Sequence, residues 1–187
     1  MRMTKADIFI LSETHCTSET DASKWLKEWG GFTQGYIADD KKKRGWFSIS
    51  PSAHTGGTAI LFSPKARKQC EVLQIIKDDE FRGAWTSVLL RIQQQRVWVD
   101  AVYMPAPSEL RIQALPAYSQ SVLQREEADH YISCGDWNCV ENVQLDCSDP
   151  SYTNLGGDQM VQLTEDCDWV DVWRAAEEGG DLPGYTR

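Results

Sequence analysis

Four strand-like segments follow one another closely in the middle of the chain, and this spacing constrains the fold more than any other feature. They are GGTAILFS at 56–63, CEVLQIIKD at 70–78, AWTSVLLRI at 84–92 and RVWVDAVYM at 96–104. Each segment is rich in β-branched or aromatic residues and is bounded by turn formers, which is the pattern of strands in a sheet. We expect these strands to pair as neighbours.

Further strands and helices flank this run on both sides. Strand patterns also occur in ADIFILSE at 6–13, GFTQGYIA at 31–38 and HYISCGD at 130–136. Helical periodicity occurs at 21–29, 108–125 and 156–169. Within the second helical segment, Pro116 is expected to break or kink the helix, with a new helix starting at the proline. The whole pattern predicts sheet packed on sheet with helices outside, a layered α/β or α+β domain.

Length and composition indicate an ordinary globular domain. The 187 residues suit a single domain, or one incomplete larger domain, over 1–187. A hydrophobic content of 41% and eight tryptophans are enough for a core. No apolar run approaches the roughly 20 residues that span a bilayer, and the N-terminus lacks the pattern of a secretory signal. We therefore expect an intracellular protein, nuclear or cytoplasmic, without a membrane partner.

Charge and cysteine spacing narrow the function classes. A net charge of −9 argues against binding nucleic acid by bulk electrostatics, although carboxylates can hold a divalent cation that itself meets a phosphate. The six cysteines show no zinc-site spacing, and most are expected to be reduced thiols in or near the core. The basic run KKKR at 41–44 lies beside Trp46 and is either a solvated turn or a loop that stacks on a base.

Polar side chains concentrate where the predicted strands end. Glu13 follows IFILS, and Tyr103 closes VWVDAVY. Asp136 and Asn138 close YISCG, and they can converge on one ligand if the extended geometry persists past Gly135, because strand residues two apart share a face. Gly135 removes a side chain at a point where a close approach is expected.

This set of groups suits the hydrolysis of a phosphate ester. A carboxylate can ligate a hard cation or take a proton from water, and a carboxamide can donate and accept without changing charge. An oxygen-ligated Mg²⁺ would neutralise the phosphate while neutral donors hold its non-bridging oxygens. At a strand end the Asp-x-Asn pattern is more often a turn with Asx hydrogen bonds than a ligand-binding pair, so both interpretations stay open.

Five motifs occur in a characteristic order along the chain. They are LSETH at 11–15, GGTAILFS at 56–63, VYMPAP at 102–107, GDWN at 135–138, and DVWR with GYTR between 171 and 187. In this order and spacing the chain resembles the endonuclease/exonuclease/phosphatase superfamily, and it looks closest to the apurinic endonuclease-like domain of LINE-type retrotransposons. The resemblance implies an incomplete four-layer α/β/β/α sandwich. It also implies hydrolysis of DNA phosphodiesters by water, with Mg²⁺ as cofactor and Mn²⁺ as its substitute.

The resemblance implies a role for each matching residue. Glu13 matches a metal-ligating glutamate, and Tyr103 matches a tyrosine that contacts the phosphate. Asp136 matches the aspartate that positions or deprotonates the attacking water, or protonates the leaving group. Asn138 matches the asparagine that orients that group and stabilises the phosphorane-like state.

Two parts of the superfamily pattern have no counterpart in this sequence. One is an opening strand with a Trp-Asn pair, and the other is a closing segment with a catalytic histidine, so we expect a chain truncated at both ends. His15, His54 and His130 do not match that histidine.

Three functions follow from this reading of the sequence. The chain is a DNA-nicking endonuclease, with other domains of a longer reverse-transcriptase polyprotein supplying most of the affinity for DNA. Alternatively, it is a non-catalytic truncated remnant of such a domain. The third alternative is a phosphatase or phosphodiesterase of the same superfamily that acts on a substrate other than nucleic acid.

Overall fold

The computed structural model describes residues 6–30, 43–149, 151, 153–172 and 175. The strand predicted at 31–38, the start of the KKKR run and the GYTR motif lie outside these residues. The chain divides into two compact units, one formed by Met1–Pro105 with Glu126–Asp136 and the other by Ala106–Arg125 with Trp137–Arg187.

The first unit contains, within its described residues, seven strands and two helices. The strands are β1 (Ile8–Ser12), β2 (Gly45–Ser48), β3 (Thr58–Phe62), β4 (Cys70–Lys77), β5 (Trp85–Ile92), β6 (Gln95–Tyr103) and β7 (His130–Asp136), and the helices are α1 (Glu19–Gly30) and α2 (Pro64–Gln69). Every strand predicted within the described residues is present. The sequence prediction missed the short strand β2 and the short helix α2.

The seven strands form two sheets. In the first sheet β3 lies between β1 and β2 and is antiparallel to both. In the second sheet β4, β5 and β6 are successive antiparallel neighbours, and β7 pairs with β6 in parallel. The prediction that the central strands pair as neighbours is confirmed for β4, β5 and β6 and is wrong for β3, which pairs with β1 and β2 in the other sheet.

An apolar core lies between the two sheets. It combines Ile60 and Phe62 of β3 with Val88 and Leu90 of β5, all four fully buried. Trp46 of β2 belongs to this core, is 1% exposed and meets the ring of Phe62 edge-on at 5.1 Å between centroids. The hypothesis that Trp46 stacks on a base is therefore wrong, because its indole is buried in the core between the sheets.

Helix α1 covers the outer face of the first sheet. Ala22, Leu26 and Trp29 of this helix pack on that face, and the ring of Trp29 meets Phe9 edge-on at 4.6 Å. Trp29 Nε1 also donates a hydrogen bond to the carbonyl oxygen of Phe62 at 3.1 Å. The first unit is thus a helix layer on two packed sheets, and the predicted mixed α/β class with two sheets and helices is confirmed.

The second unit is helical in its described part, with α3 (Ser108–Leu123), α4 (Val143–Asp146) and α5 (Gly157–Asp166). Pro116 lies inside α3, and the helix continues through it. The prediction of a break there is wrong because Leu115, Tyr118 and Val122 are buried on one side of the helix, and this burial outweighs the hydrogen bond that a proline cannot donate. Trp137 contacts Tyr118, with ring centroids 5.7 Å apart.

All six cysteines are free thiols; Cys16, Cys70 and Cys139 are buried, and Cys134 is exposed. No helix in the described ranges is both long and apolar enough to cross a membrane.

Candidate active site

The turn after β1 fixes the backbone of Glu13 against a pair of glycines. The N–H of Thr14 donates to the carbonyl oxygen of Gly57 at 3.0 Å, and the N–H of His15 donates to that of Gly56 at 3.1 Å. Glu13 and His15 both have left-handed backbones, with φ of 53° and 55°. These conformations are uncommon outside glycine and persist only where the surroundings enforce them, which the two hydrogen bonds do here.

Gly57 explains why the GGT motif is needed at this point. Its φ is 81°, and a Cβ added there would lie 2.6 Å from Thr14 Oγ1. A side chain at this position would be strained at this φ and would displace the hydroxyl of Thr14. The two glycines of GGTAILFS therefore act together with a turn more than 40 positions earlier in the chain.

A second pair of backbone hydrogen bonds connects this turn to the end of β6. The N–H of Gly57 donates to the carbonyl oxygen of Arg82 at 3.0 Å, in the loop between β4 and β5. Two residues further along that loop, the carbonyl oxygen of Ala84 accepts the N–H of Tyr103 at 2.7 Å. The carboxyl end of β1 and the carboxyl end of β6 therefore meet the same loop.

β7 ends beside β6 at the same level. Asp136 is the register partner of Tyr103, and its carbonyl oxygen accepts the N–H of Met104 at 2.8 Å. Because parallel strands end together, Asp136 and Tyr103 lie side by side. Glu13, Tyr103 and Asp136 thus share one end of the two packed sheets, hereafter the site end, which comprises these three residues, Gly57 and the loop 78–84.

A buried carboxylate shapes the loop that joins these strand ends. Asp78 is 4% exposed and accepts backbone N–H groups from Glu80, Phe81 and Ala84 at 2.7–3.1 Å. The ring of Phe81 also stacks on that of Trp85, with centroids 6.1 Å apart. Sequence reasoning missed Asp78, because an aspartate directly after β4, in DDEFRG, has the pattern of an ordinary turn residue.

Three buried hydroxyl groups tie the two sheets together near the same end. Thr58 Oγ1 and Thr86 Oγ1 are 2.9 Å apart, and Thr86 Oγ1 donates to Ser48 Oγ at 2.8 Å. Ser48 Oγ in turn donates to the carbonyl oxygen of Trp85. A buried, hydrogen-bonded polar network of this kind fixes the position of β3 against β5 across the two sheets.

Gly135 serves the pairing of β7 with β6. Its φ is 154°, and a Cβ added there would lie 1.8 Å from the carbonyl oxygen of Val102. The close approach predicted at this glycine therefore exists, and the approaching group is the backbone of the neighbouring strand. No ligand is needed to explain why glycine occupies this position.

Asn138 does not continue the extended geometry of Asp136. β7 ends at Asp136, and Asn138 has φ of 51° and lies half-buried at the start of the second unit. The same-face argument from strand alternation required extended backbone past Gly135, so that argument fails. A left-handed asparagine agrees with the turn interpretation, and the role that the resemblance implies for Asn138 stays a prediction.

The three residues of the site end differ in their exposure. The Glu13 side chain is 48% exposed, with Oε1 4.0 Å from Nε2 of His15, and Asp136 is also exposed. Tyr103 is 6% exposed. Cys16, four residues after Ser12, is buried, and burial raises the pKa of its thiol, so it stays neutral.

The donor groups present decide which cation this end could hold. Within the described ranges, no three His, Cys, Asp or Glu side chains form a group able to hold a metal ion. Mg²⁺ keeps several of its waters and binds through one or two carboxylates together with substrate phosphates, so the exposed carboxylate of Glu13 suits it. A closed cage of protein ligands, as for a structural Zn²⁺, has no counterpart there.

Comparison with known proteins gives likenesses of structure only. No family profile matches the chain, and no curated protein matches it. Humanized D. rerio TDP2 with 14 mutations is 15% identical at a TM-score of 0.44, covering 71% of this chain and 49% of that chain. D. rerio TDP2 complexed with single strand DNA product is 15% identical at a TM-score of 0.42, covering 71% and 48%.

The endonuclease domain of TRAS1, a telomere-specific non-LTR retrotransposon, is 13% identical at a TM-score of 0.40, covering 66% of this chain and 52% of that chain. The chain spans about half the length of each of these three structures. Likenesses at such low identity concern the fold alone.

Proposed function

We propose that this domain hydrolyses DNA phosphodiesters by attack of water, with Mg²⁺ as cofactor, and so nicks a DNA strand. The observation that carries the proposal is the convergence of Glu13, Tyr103 and Asp136 at the site end. These residues come from three strands that are distant in sequence, and they are the same three that the resemblance to the superfamily selects in this unit.

Each of the three side chains has a distinct chemical capacity. Asp136 is an exposed carboxylate that can orient water and accept its proton. Tyr103 carries a neutral O–H donor, and its near-complete burial limits the directions that the phenol can take, which suits a hydrogen bond to a non-bridging phosphate oxygen. Glu13 would hold the cation, and a bound Mg²⁺ supplies charge neutralisation on the phosphate.

The backbone supports this assignment because hydrogen bonds between main-chain atoms fix the strand ends that carry these groups. The Glu13 turn, the loop 78–84 and the end of β6 are joined by hydrogen bonds of 2.7–3.0 Å between main-chain atoms. Catalysis by positioned donors and charges requires such preorganisation, since reorganisation during the reaction would cost rate.

One observation favours the non-catalytic alternative. Glu13 is half-exposed, and the described residues contain no group of three metal-ligating side chains around it. A remnant domain would keep the packed sheets and lose turnover. The same observation is also compatible with an enzyme that recruits its cation together with the substrate phosphate.

Nicking of supercoiled plasmid by the purified chain with Mg²⁺ tests the proposal. We expect Glu13→Gln and Asp136→Asn each to lower the nicking rate by on the order of 10²-fold or more, since each removes a group acting on the reacting atoms. Asp79→Asn is the matched control, because Asp79 is an exposed carboxylate of the same end with no role in the chemistry.

The outcomes separate the three functions. Nicking that is lost in both variants, retained in Asp79→Asn and abolished by EDTA supports the endonuclease. Hydrolysis of bis(p-nitrophenyl) phosphate without nicking would point to another phosphodiester substrate. Activity that is absent, or equal in all four proteins, would contradict the proposal and leave the non-catalytic remnant.

A further inference from the structure

We propose that Arg82 is a substrate-binding residue that holds a backbone phosphate of the DNA strand beside the site end. The proposal deepens the proposed function and rests on it. Sequence reasoning did not select Arg82, which lies in the loop between β4 and β5 and follows three acidic residues, Asp78, Asp79 and Glu80.

Arg82 lies between the strand ends that carry the proposed reactive groups. Its carbonyl oxygen accepts the N–H of Gly57, and Gly57 in turn accepts the N–H of Thr14, next to Glu13. On the other side, Ala84 accepts the N–H of Tyr103. Arg82 is therefore two backbone hydrogen bonds away from the Glu13 turn and two residues from the contact with Tyr103.

The backbone of Arg82 is held in an unusual conformation by a rigid loop. Its φ is 63°, which is uncommon for a residue other than glycine. The carboxylate of Asp78 fixes the loop on both sides of Arg82, through the N–H groups of Phe81 and Ala84. A Cβ on Gly56 would lie 2.6 Å from the Arg82 carbonyl oxygen, so the glycine pair leaves room for this conformation.

The guanidinium group of Arg82 is exposed and has no hydrogen bond or ion pair with any residue in the described part of the chain. Asp79 and Glu80, although exposed in the same loop, lie outside ion-pair distance of it. By contrast, Arg91 and Arg96 at the opposite end of the second sheet form ion pairs with Glu71 and Glu126. An exposed, uncommitted guanidinium on a fixed backbone can pair with two oxygens of a phosphate.

Charge gives an independent reason for a cation at this end. The chain carries a net charge of −9, and the proposed site itself holds the exposed carboxylates of Glu13 and Asp136. Affinity for a DNA backbone comes from Lys and Arg groups that neutralise phosphates. The guanidinium of Arg82 offers a phosphate a cationic contact that these carboxylates cannot make.

Lys68, which lies near the other end of β4, provides a matched control. It is exposed at the end of α2 and, like Arg82, has no ion pair or hydrogen bond in the described part of the chain. Lys68 precedes β4 and Arg82 follows it, and a strand of eight residues spans about 25 Å at the usual rise per residue. Neutralising Lys68 or Arg82 changes the net charge of the chain by the same amount, but at opposite ends of β4.

The test measures binding and nicking in the same set of variants. Binding of a fluorescent DNA duplex is followed by anisotropy in EDTA over a series of NaCl concentrations, and nicking kinetics are measured with Mg²⁺. We expect Arg82→Gln to weaken binding roughly tenfold and to reduce the salt slope by about 1. We also expect it to raise KM with kcat little changed, since the contact acts on substrate binding. Arg82→Lys should keep the salt slope, and Lys68→Gln should match the parent chain.

Each outcome bears on one proposal or on both. Loss of nicking in Asp136→Asn, with Arg82→Gln indistinguishable from Lys68→Gln, would overturn the role of Arg82 and leave the proposed function standing. A salt slope reduced only in Arg82→Gln, in a chain that does not nick, would support the DNA contact and overturn the proposed function. A parent chain that neither binds nor nicks DNA would overturn both.

Discussion

The two ends of the first unit are held together by different kinds of interaction. The site end relies on buried polar groups and on glycines, among them the Asp78 carboxylate and Gly57. The opposite end, hereafter the far end, relies on exposed ion pairs of Lys65 with Asp7, Arg91 with Glu71 and Arg96 with Glu126.

This difference indicates where a substitution is expected to lower the stability of the fold most. A buried acceptor that loses its donors, or a glycine that gains a Cβ, costs far more than a surface ion pair, which contributes roughly 0–1 kcal/mol. Substitutions at the site end should therefore be much more destabilising than those at the far end. The following predictions test that contrast from the largest effect to the smallest.

Replacing Gly135 with alanine should produce the largest loss of stability. The added Cβ would lie 1.8 Å from the carbonyl oxygen of Val102, so β7 could not stay paired with β6 without a backbone shift. We expect the free energy of unfolding to fall by at least about 3 kcal/mol, measured by urea denaturation. The neighbouring Cys134→Ala is the control, because Cys134 is exposed and its change should cost under about 1 kcal/mol. Equal stability of the two variants would contradict the pairing described here.

Replacing Asp78 with alanine should have the second-largest effect. The substitution leaves the N–H groups of Glu80, Phe81 and Ala84 without their carboxylate acceptor, so we expect a loss of about 2–4 kcal/mol in urea denaturation. Asp79→Ala, in the same loop but exposed, should stay within about 0.5 kcal/mol of the parent chain. A loss in Asp79→Ala as large as in Asp78→Ala would show that the buried carboxylate does not organise the loop.

Replacing Asp7 with asparagine at the far end should give the smallest effect, visible as a change with pH. Hydrogen bonds from Lys65 Nζ and Ser63 Oγ lower the pKa of Asp7 below its usual 3.8. Between the folded-state and unfolded-state pKa values of Asp7, the unfolded chain binds more protons than the folded chain. The stabilisation that the charged Asp7 gives to the fold is therefore present above pH 3.8 and is lost as the pH falls through the folded-state pKa. The parent chain should exceed Asp7→Asn slightly in thermal stability near neutral pH and converge with it at low pH. A gap between the two proteins that widens in acid would contradict this sign.

The positions of the three proposed site residues were predictable from the sequence because they depend on strand periodicity. Glu13, Tyr103 and Asp136 each close a segment with a strong strand pattern, and strand ends gather at sheet edges. The inter-sheet core could be predicted in the same way, since β-branched and aromatic residues fill it.

The errors arose where long-range packing overrides a local pattern. Trp46 beside KKKR suggested a stacking loop, and only the pairing of β2 with β3 shows that this indole is buried. Pro116 suggested a break in α3, which burial of the same helix prevents. Asp78 gave no signal, because its three donors come together only in the folded loop.

The central claim is that one end of the packed sheets is the reactive end and that Glu13 holds its cation. Paramagnetic broadening of backbone amide NMR signals by Mn²⁺ tests it most directly and does not depend on turnover. We predict selective broadening at Thr14, Gly57 and Ala84, with the amides of Ile92 and Gln95 at the far end unaffected, and loss of that selectivity in Glu13→Gln. Broadening spread evenly over both ends, or unchanged in Glu13→Gln, would contradict the account.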